Sequence, residues 1–110
     1  MMHMMKLQNV PFELIKNGTK TIELRLDDKK RKLVKENDII EFTNVLTGEK
    51  IEVKVLKLHR YNSFEELYKH FNKVSLGYKF NEQENPSDME KYYSKEEQEK
   101  YGVIGIEITL

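Results

Sequence analysis

The sequence contains no cysteine, which excludes disulfide bonds, thiolate metal sites and a cysteine nucleophile. It has no tryptophan, two prolines and three scattered histidines, so we predict neither a metal site nor another cofactor. No apolar run is long enough to span a bilayer. The methionine-rich start MMHMMKLQ lacks the basic-then-apolar order of a signal peptide. We therefore expect a cytoplasmic protein with no membrane partner.

Charge of either sign is balanced overall, with 19 basic and 19 acidic side chains, so no global attraction to nucleic acid is expected. The distribution along the chain is uneven. Residues 16–35 hold eight basic and three acidic side chains, whereas residues 81–100 hold three basic and seven acidic ones. A neutral protein can thus present one basic face. A solvated surface is the alternative explanation for either run.

The length of 110 residues predicts a single domain over residues 1–110, with one modest core. The order of apolar patterns indicates a strand, a helix, a second strand, a long hairpin over residues 38–61, short helices and a closing strand, YGVIGIEITL. Strands and helices do not alternate regularly. This order predicts an α+β fold, with a small curved sheet or barrel and helices at its side.

Two local patterns refine this prediction. Within the hairpin, the apolar parity changes after Val55, because Leu56 and Leu58 share the other parity, which indicates a bulge or burial on both faces. Three segments carry the capping sequence Ser-x-x-Glu, which typically begins a helix. These segments begin at Ser63, Ser87 and Ser94.

The segment GTKTIELR, residues 18–25, concentrates charge in a predicted strand. Glu23 and Arg25 are two residues apart, so they share one face and can form an ion pair. Lys20 has the opposite parity and can join them only from the start of the strand, after Gly18, or through a bulge. A lysine held beside a second cation can bind phosphate or act as a base. The alternative is a surface strand with one Glu–Arg pair.

The same segment resembles the Gly-x-Lys-x-x-Glu-x-Arg signature of ASCH domains in the PUA-like superfamily. The segment KENDIIEF is similar to that family's Gly-Asp-x-Ile-x-Phe motif, with Asn37 where glycine is usual, and the ending YSKEEQEKYGVIGIEI also resembles its members. The resemblance covers nearly the whole chain. It implies a small PUA-like mixed β-barrel with helices packed at its side. It also implies a cleft for RNA or a nucleotide, formed by the motif residues Gly18, Lys20, Glu23 and Arg25.

The family that the chain resembles includes amidohydrolases that remove the acetyl group from acetylcytidine. They use the motif lysine and a nucleophilic threonine at the position of Glu23. Because that hydroxyl is missing here, we expect no efficient deacetylation of acetylcytidine. Lys20 and Glu23 remain the candidates for any catalysis. A later carboxylate would supply the catalytic acid, and the candidates for it are Glu82, Glu84 and Glu90.

Three classes of function stay open. The first is binding of RNA, a nucleotide or a nucleoside, with Lys20, Arg25 and the basic run on phosphates. In this class the run contributes Lys29, Lys30 and Lys32, while Arg60 and Tyr61 provide a hydrogen bond and stacking to a base. The second is a hydrolase of a modified nucleoside or of RNA, amidohydrolase-like or ribonuclease-like. The third is a protein-interaction domain that uses its acidic helices. The sequence leaves the oligomeric state open.

Overall fold

The computed structural model describes all 110 residues and contains strands, α-helices and two short 3₁₀ turns. The strands are β1 (Met2–Leu7), β2 (Ile22–Leu26), β3 (Ile39–Asn44), β4 (Lys50–Tyr61) and β5 (Val103–Thr109). The helices are α1 (Asn9–Lys16), α2 (Phe64–Tyr68) and α3 (Lys95–Tyr101), and the 3₁₀ turns are Arg31–Leu33 and Pro86–Lys91. None of the helices combines the length and the apolar character that a membrane crossing requires.

The five strands form one mixed sheet in the order β1-β3-β4-β5-β2. β1 runs parallel to β3, and every other neighbouring pair is antiparallel. The edge strands β1 and β2 have no backbone ladder between them. Instead, the Arg25 guanidinium on β2 donates a hydrogen bond of 2.7 Å to the Lys6 carbonyl oxygen on β1. The sheet is therefore curled into a half-barrel with helices beside it, and the predicted mixed α+β architecture is confirmed.

Strand β5 contributes side chains to two apolar clusters, because it is buried on both faces. Ile104 and Ile106 lie in the larger apolar cluster, inside the curl of the sheet. Val103 faces the opposite way, into a second cluster around α2. Gly105 allows this close packing, because a Cβ atom there would lie 3.1 Å from the Ile22 methyl group. β5 thus serves two cores, where the alternating pattern indicated one buried face.

The parity change in β4 is a β-bulge. The register with β5 shifts between Val55 and Lys57, so Leu56 is the extra residue and is exposed. Val55 before the bulge and Leu58 after it consequently pack against the same apolar cluster. Every residue beyond the bulge is turned to the opposite face from the one that simple alternation predicts.

Two of the three predicted capping sequences form helix caps. The Ser63 and Ser94 side chains each accept a hydrogen bond from the backbone N–H three residues on. The third prediction was wrong, because the Asn85 side chain, and not that of Ser87, caps the turn. Pro86 has a fixed φ and no N–H, which suits the first position of a helical turn. The turn therefore begins one residue before Ser87.

Asp38 connects β1 to the start of β3. Its carboxylate lies 2.8 Å from the His3 ring nitrogen and accepts a hydrogen bond of 3.0 Å from the Lys35 backbone N–H. The bond to His3, followed by the one to Lys35, holds the pKa of Asp38 at about 2. Nearby, Asn37 has φ +73°, a left-handed conformation that asparagine tolerates better than other non-glycine residues.

Replacing Asp38 with asparagine should destabilise the protein in a pH-dependent way. The folded pKa of about 2 lies below the ordinary aspartate value of about 3.9. The stabilisation is therefore present above roughly pH 4 and is lost as the pH falls towards about 2. We expect Asp38→Asn to lower the unfolding free energy by roughly 1–2 kcal/mol near pH 7, and by much less near about pH 2.5.

Urea denaturation at both pH values measures this difference. Glu36→Gln is the matched control, because Glu36 is an exposed carboxylate close by. A deficit for Asp38→Asn of equal size at both pH values would contradict the assignment.

Candidate functional site

Lys20 lies in the turn between α1 and β2, ahead of the pleated strand. Gly18 turns the chain after α1 with φ +83°, a conformation that glycine adopts readily. The backbone N–H groups of the two residues after Lys20 both donate to the Ser75 carbonyl oxygen at 3.0 Å. Because Lys20 precedes β2, strand alternation does not fix its direction, and its side chain reaches the face that carries Glu23.

The structure brings Lys20, Glu23 and Arg25 together as one ion-paired cluster. The Lys20 ammonium lies 3.1 Å from Glu23 Oε1, and Arg25 Nε donates to Glu23 Oε2 at 2.7 Å. Each carboxylate oxygen therefore has its own cation. Lys20 is 9% exposed and Glu23 is 2% exposed. This burial removes the screening by water that makes surface ion pairs weak.

Charge decides the protonation state of the cluster. Burial alone would raise the pKa of Glu23, but the charges and hydrogen bonds of Lys20 and Arg25 hold that pKa below its usual value. Burial also opposes the charge on Arg25, yet the Glu23 carboxylate raises the pKa of Arg25 above its ordinary value. Two cations thus surround one carboxylate. One positive charge remains in excess and is available to an anionic ligand.

The cluster lies in the wall of a cleft of about 530 Å³. Ligand pockets of roughly 300–1,000 Å³ are typical for small molecules. Val10 and Leu14 of α1 form an apolar side of the cleft, and residues 76–78, 88–89 and 91–93 contribute further lining. Aromatic rings are abundant there. The tyrosines that line the cleft are Tyr68, Tyr78, Tyr92 and Tyr93.

Other lining groups of the cleft are acidic and phenolic. The Tyr78 hydroxyl donates a hydrogen bond of 2.7 Å to Asp88 Oδ2 and lies 3.0 Å from the Tyr68 hydroxyl. Burial raises the pKa of Tyr78, so the phenol stays neutral at physiological pH. Glu82 also lines the cleft. The cleft therefore offers cations as well as hydrogen-bond acceptors and phenols, and between them they can contact both the phosphate and the base edge of a nucleotide.

Gly77 leaves the space that the Lys20 side chain occupies. A Cβ atom on Gly77 would lie 3.1 Å from Lys20 Cδ and 3.8 Å from Leu14 Cδ1. The residue also has φ +107°, which side-chain-bearing residues rarely adopt. Gly77 thus helps to position Lys20 against Glu23.

Comparison with known proteins identifies the family. The model of the ASCH domain matches residues 5–110. The chain belongs to the ASCH domain family. A comparison with curated proteins found no match.

Solved structures agree with this ASCH assignment. The crystal structure of hypothetical protein PH0355 is 35% identical, with a TM-score of 0.84 over 99% of this chain and 98% of that one. The solution structure of protein PF0455 from Pyrococcus furiosus is also 35% identical, with a TM-score of 0.71 over 99% and 96% of the two chains. A point mutant of ZmASCH from Zymomonas mobilis is 11% identical, with a TM-score of 0.67 over 99% and 69%, which shows a shared fold.

Arg60 and Tyr61 of this ASCH domain lie away from the cleft. They line a second cavity of about 470 Å³ beside Asp27. Arg60 Nε donates to Asp27 Oδ2 at 3.0 Å, and Tyr61 stacks on the His70 ring with centroids 4.8 Å apart. The sequence-based prediction grouped these residues with the motif, whereas the structure separates them from it.

Two of the three lysines predicted to bind phosphate in the basic run after β2 already have a partner within the protein. The Lys30 ammonium donates to the Met4 carbonyl oxygen at 3.2 Å, and the Lys32 ammonium lies 3.0 Å from Asp27 Oδ2. Lys29 is exposed and forms no ion pair. The role of these three lysines in binding phosphate stays a prediction.

Of the three candidate acids, Glu82 alone lines the cleft. Glu84 has one oxygen buried without a hydrogen-bond partner, and Glu90 is exposed. No group of three or more histidine or acidic side chains is arranged to hold a metal ion. Sequence reasoning missed Gly77, Asp88 and the tyrosines of the cleft. Tyr68 lies in α2, and for the others the only signal was a density of aromatic residues in a stretch without helix or strand periodicity.

Removing the carboxylate at the centre of the cluster should destabilise the fold strongly. Glu23→Gln leaves two buried cations without their counter-charge, which typically costs about 3–5 kcal/mol of unfolding free energy. Glu52→Gln, an exposed position on β4 that makes no ion pair, should change the free energy by less than about 0.5 kcal/mol. Chemical denaturation of both variants tests this. Equal effects would mean that the cluster does not stabilise the fold.

Gly77→Ala should destabilise the protein more than Gly48→Ala. Both glycines have positive φ, at +107° and +77°, so both variants carry backbone strain of roughly 1–2 kcal/mol. Only Gly77 has a neighbour in the way, since nothing lies within 4 Å of a Cβ atom at Gly48. Equal losses of unfolding free energy would show that Lys20 moves aside without penalty.

Proposed function

We propose that this ASCH domain binds a nucleoside or nucleotide, free or within RNA, in the cleft beside Glu23. The observation that carries this proposal is the combination in one cleft of a fixed pair of cations with four tyrosines. Phosphate groups are bound by such cations. Nucleobases stack on aromatic side chains and form hydrogen bonds with fixed acceptors.

Tyr92 is the clearest candidate for stacking. Its ring lines the cleft but is 60% exposed, so it is accessible to a ligand without rearrangement. Tyr78 and Asp88 are bonded to each other and form a fixed polar edge. Asp88 Oδ1 has no partner in the protein and can accept a hydrogen bond from an exocyclic amino group or ring N–H of a base.

The same geometry favours binding over hydrolysis. A general base works best when its pKa lies near the operating pH. The pKa of Glu23 is lowered by its two cations, which makes this carboxylate a weak base at neutral pH. The lone pairs of Glu23 are also directed at Lys20 and Arg25, and no hydroxyl nucleophile occupies its position.

Thermal unfolding in the presence of nucleosides and their 5′-monophosphates tests the proposal. A ligand at 100 times its Kd stabilises a protein by about 2.7 kcal/mol, which raises the Tm of a domain of this size by about 10 °C. Base stacking on one aromatic side chain contributes roughly 1–3 kcal/mol, so Tyr92→Ala should weaken binding about 5- to 100-fold.

Phe80→Ala is the matched control, because Phe80 is an 82% exposed aromatic residue that does not line the cleft. It should leave Kd unchanged within about twofold. If no nucleoside or nucleotide at millimolar concentration shifts Tm, or if both variants behave alike, the cleft is not the binding site.

A further inference from the structure

Asn17 and Gly18 form the sequence Asn-Gly at the end of α1, directly before the turn that carries Lys20. No other asparagine of the chain is followed by glycine. Both residues are exposed, and a Cβ atom built on Gly18 would have nothing within 4 Å. An unhindered backbone nitrogen therefore follows an accessible side-chain amide, close to the ion-paired cluster.

This order of residues allows the chain to react with itself. The Gly18 backbone nitrogen attacks Asn17 Cγ and forms a new C–N bond. The bond from Cγ to the side-chain nitrogen breaks, and that nitrogen leaves as ammonia with the proton of the Gly18 N–H. Water then opens the resulting succinimide ring at either carbonyl, which yields aspartate or isoaspartate. In isoaspartate the backbone runs through Cγ and is one carbon atom longer.

Two hydrogen bonds in the turn act on this reaction in opposite directions. The Thr19 backbone N–H donates to Asn17 Oδ1 at 2.9 Å and polarises the carbonyl that is attacked. The Gly18 N–H donates to the Ile15 carbonyl oxygen at 3.0 Å, which withholds the attacking nitrogen. This second bond lies at the exposed end of a helix of eight residues, where local opening costs little free energy. The reaction can therefore start from the folded protein.

The same turn determines where Lys20 lies. The backbone N–H groups of Thr19 and Lys20 donate to the Leu14 carbonyl oxygen at 2.9 and 3.0 Å. An additional backbone carbon at position 17 lengthens the chain between α1 and these two bonds. Because the Lys20 ammonium lies 3.1 Å from Glu23 Oε1, a shift of the turn breaks this buried ion pair.

We propose that Asn17 is a site of spontaneous deamidation and isomerisation, which releases Lys20 from Glu23 as the folded protein ages. This inference is independent of the ligand proposed for the cleft. The reactants are the chain itself and water. Because the backbone nitrogen attacks in its deprotonated form, the rate rises with pH.

Asn72 provides a matched control within the same molecule. It is also exposed, and its Oδ1 also accepts from the backbone N–H two residues on, that of Val74, at 2.8 Å. Lysine follows it instead of glycine. A Cβ atom on the following residue crowds the attacking nitrogen, so Asn72 should react at least about tenfold more slowly than Asn17.

Incubation of the folded protein in mildly alkaline buffer, followed by peptide mapping and mass spectrometry, measures both rates. Sub-denaturing urea should leave the rate at Asn17 unchanged, because local opening exposes little surface. Equal rates at Asn17 and Asn72 would overturn the site. A rate that rises with urea in step with global unfolding would overturn reaction from the folded state.

Thermal unfolding of the isolated isoaspartate form tests the effect on Lys20. Its Tm should be lower than that of the unmodified protein by about 4 °C or more, because a buried ion pair is lost. Asn17→Gln, incubated in the same way, should keep its mass and its Tm, since its longer side chain closes a ring far more slowly. Freshly prepared Asn17→Asp carries the new charge without the longer backbone and should lose less than about half as much.

Lys20→Gln already lacks the ion pair, so the same modification in that variant should lower Tm by less than about half as much as in the wild type. An equal loss in Lys20→Gln, or an unchanged Tm of the isoaspartate form, would show that the modification does not act through Lys20. An equal loss in Asn17→Asp would assign the effect to charge and overturn the displacement of the turn.

Discussion

The rest of the site depends on the two ion pairs that the buried Glu23 carboxylate forms with Lys20 and Arg25. This carboxylate gathers a lysine from the turn after α1 and an arginine from β2, and that arginine also reaches across to the carbonyl of Lys6 on β1. A buried carboxylate with one of these cations missing would be strongly unfavourable, as would either cation without the carboxylate. The groups that hold the open side of the half-barrel are thus the same groups that face the cleft. If the cleft binds the proposed ligand, stability and recognition are coupled at this point.

Much of the architecture followed from local pattern. The two-residue spacing of Glu23 and Arg25 predicted a shared strand face, and the parity change after Val55 indicated a bulge or burial on both faces, of which the structure shows the bulge. Asn37 stands where the resemblance implies a glycine, and its φ of +73° is a conformation that asparagine tolerates better than most other residues. These features depend on neighbours in sequence, so they can be inferred from the sequence alone.

The remainder depends on contacts between distant segments. Three of the four tyrosines of the cleft, all but Tyr68, lie in an irregular stretch whose path is set by hydrogen bonds such as those that Ser75 accepts from the start of β2. No hydrophobic periodicity in the sequence predicts the course of such a segment. The pairing of Arg60 with Asp27 requires the bulge at Leu56, because that single extra residue turns Arg60 to the inner face of the sheet. The sequence indicated a bulge or two-sided burial, but not which residues it would bring together.

The bridge from Arg25 to β1 has a consequence for self-association. A strand at the edge of a sheet exposes carbonyl and N–H groups that can recruit a strand from another molecule, a common origin of aggregation. On the outer edge of β1, the Lys6 carbonyl oxygen accepts from Arg25 and the Met4 carbonyl oxygen accepts from Lys30. An incoming strand would have to break both bonds and displace two cations before it could pair. The chain thereby protects the edge of β1 with two basic side chains from a later part of its own sequence.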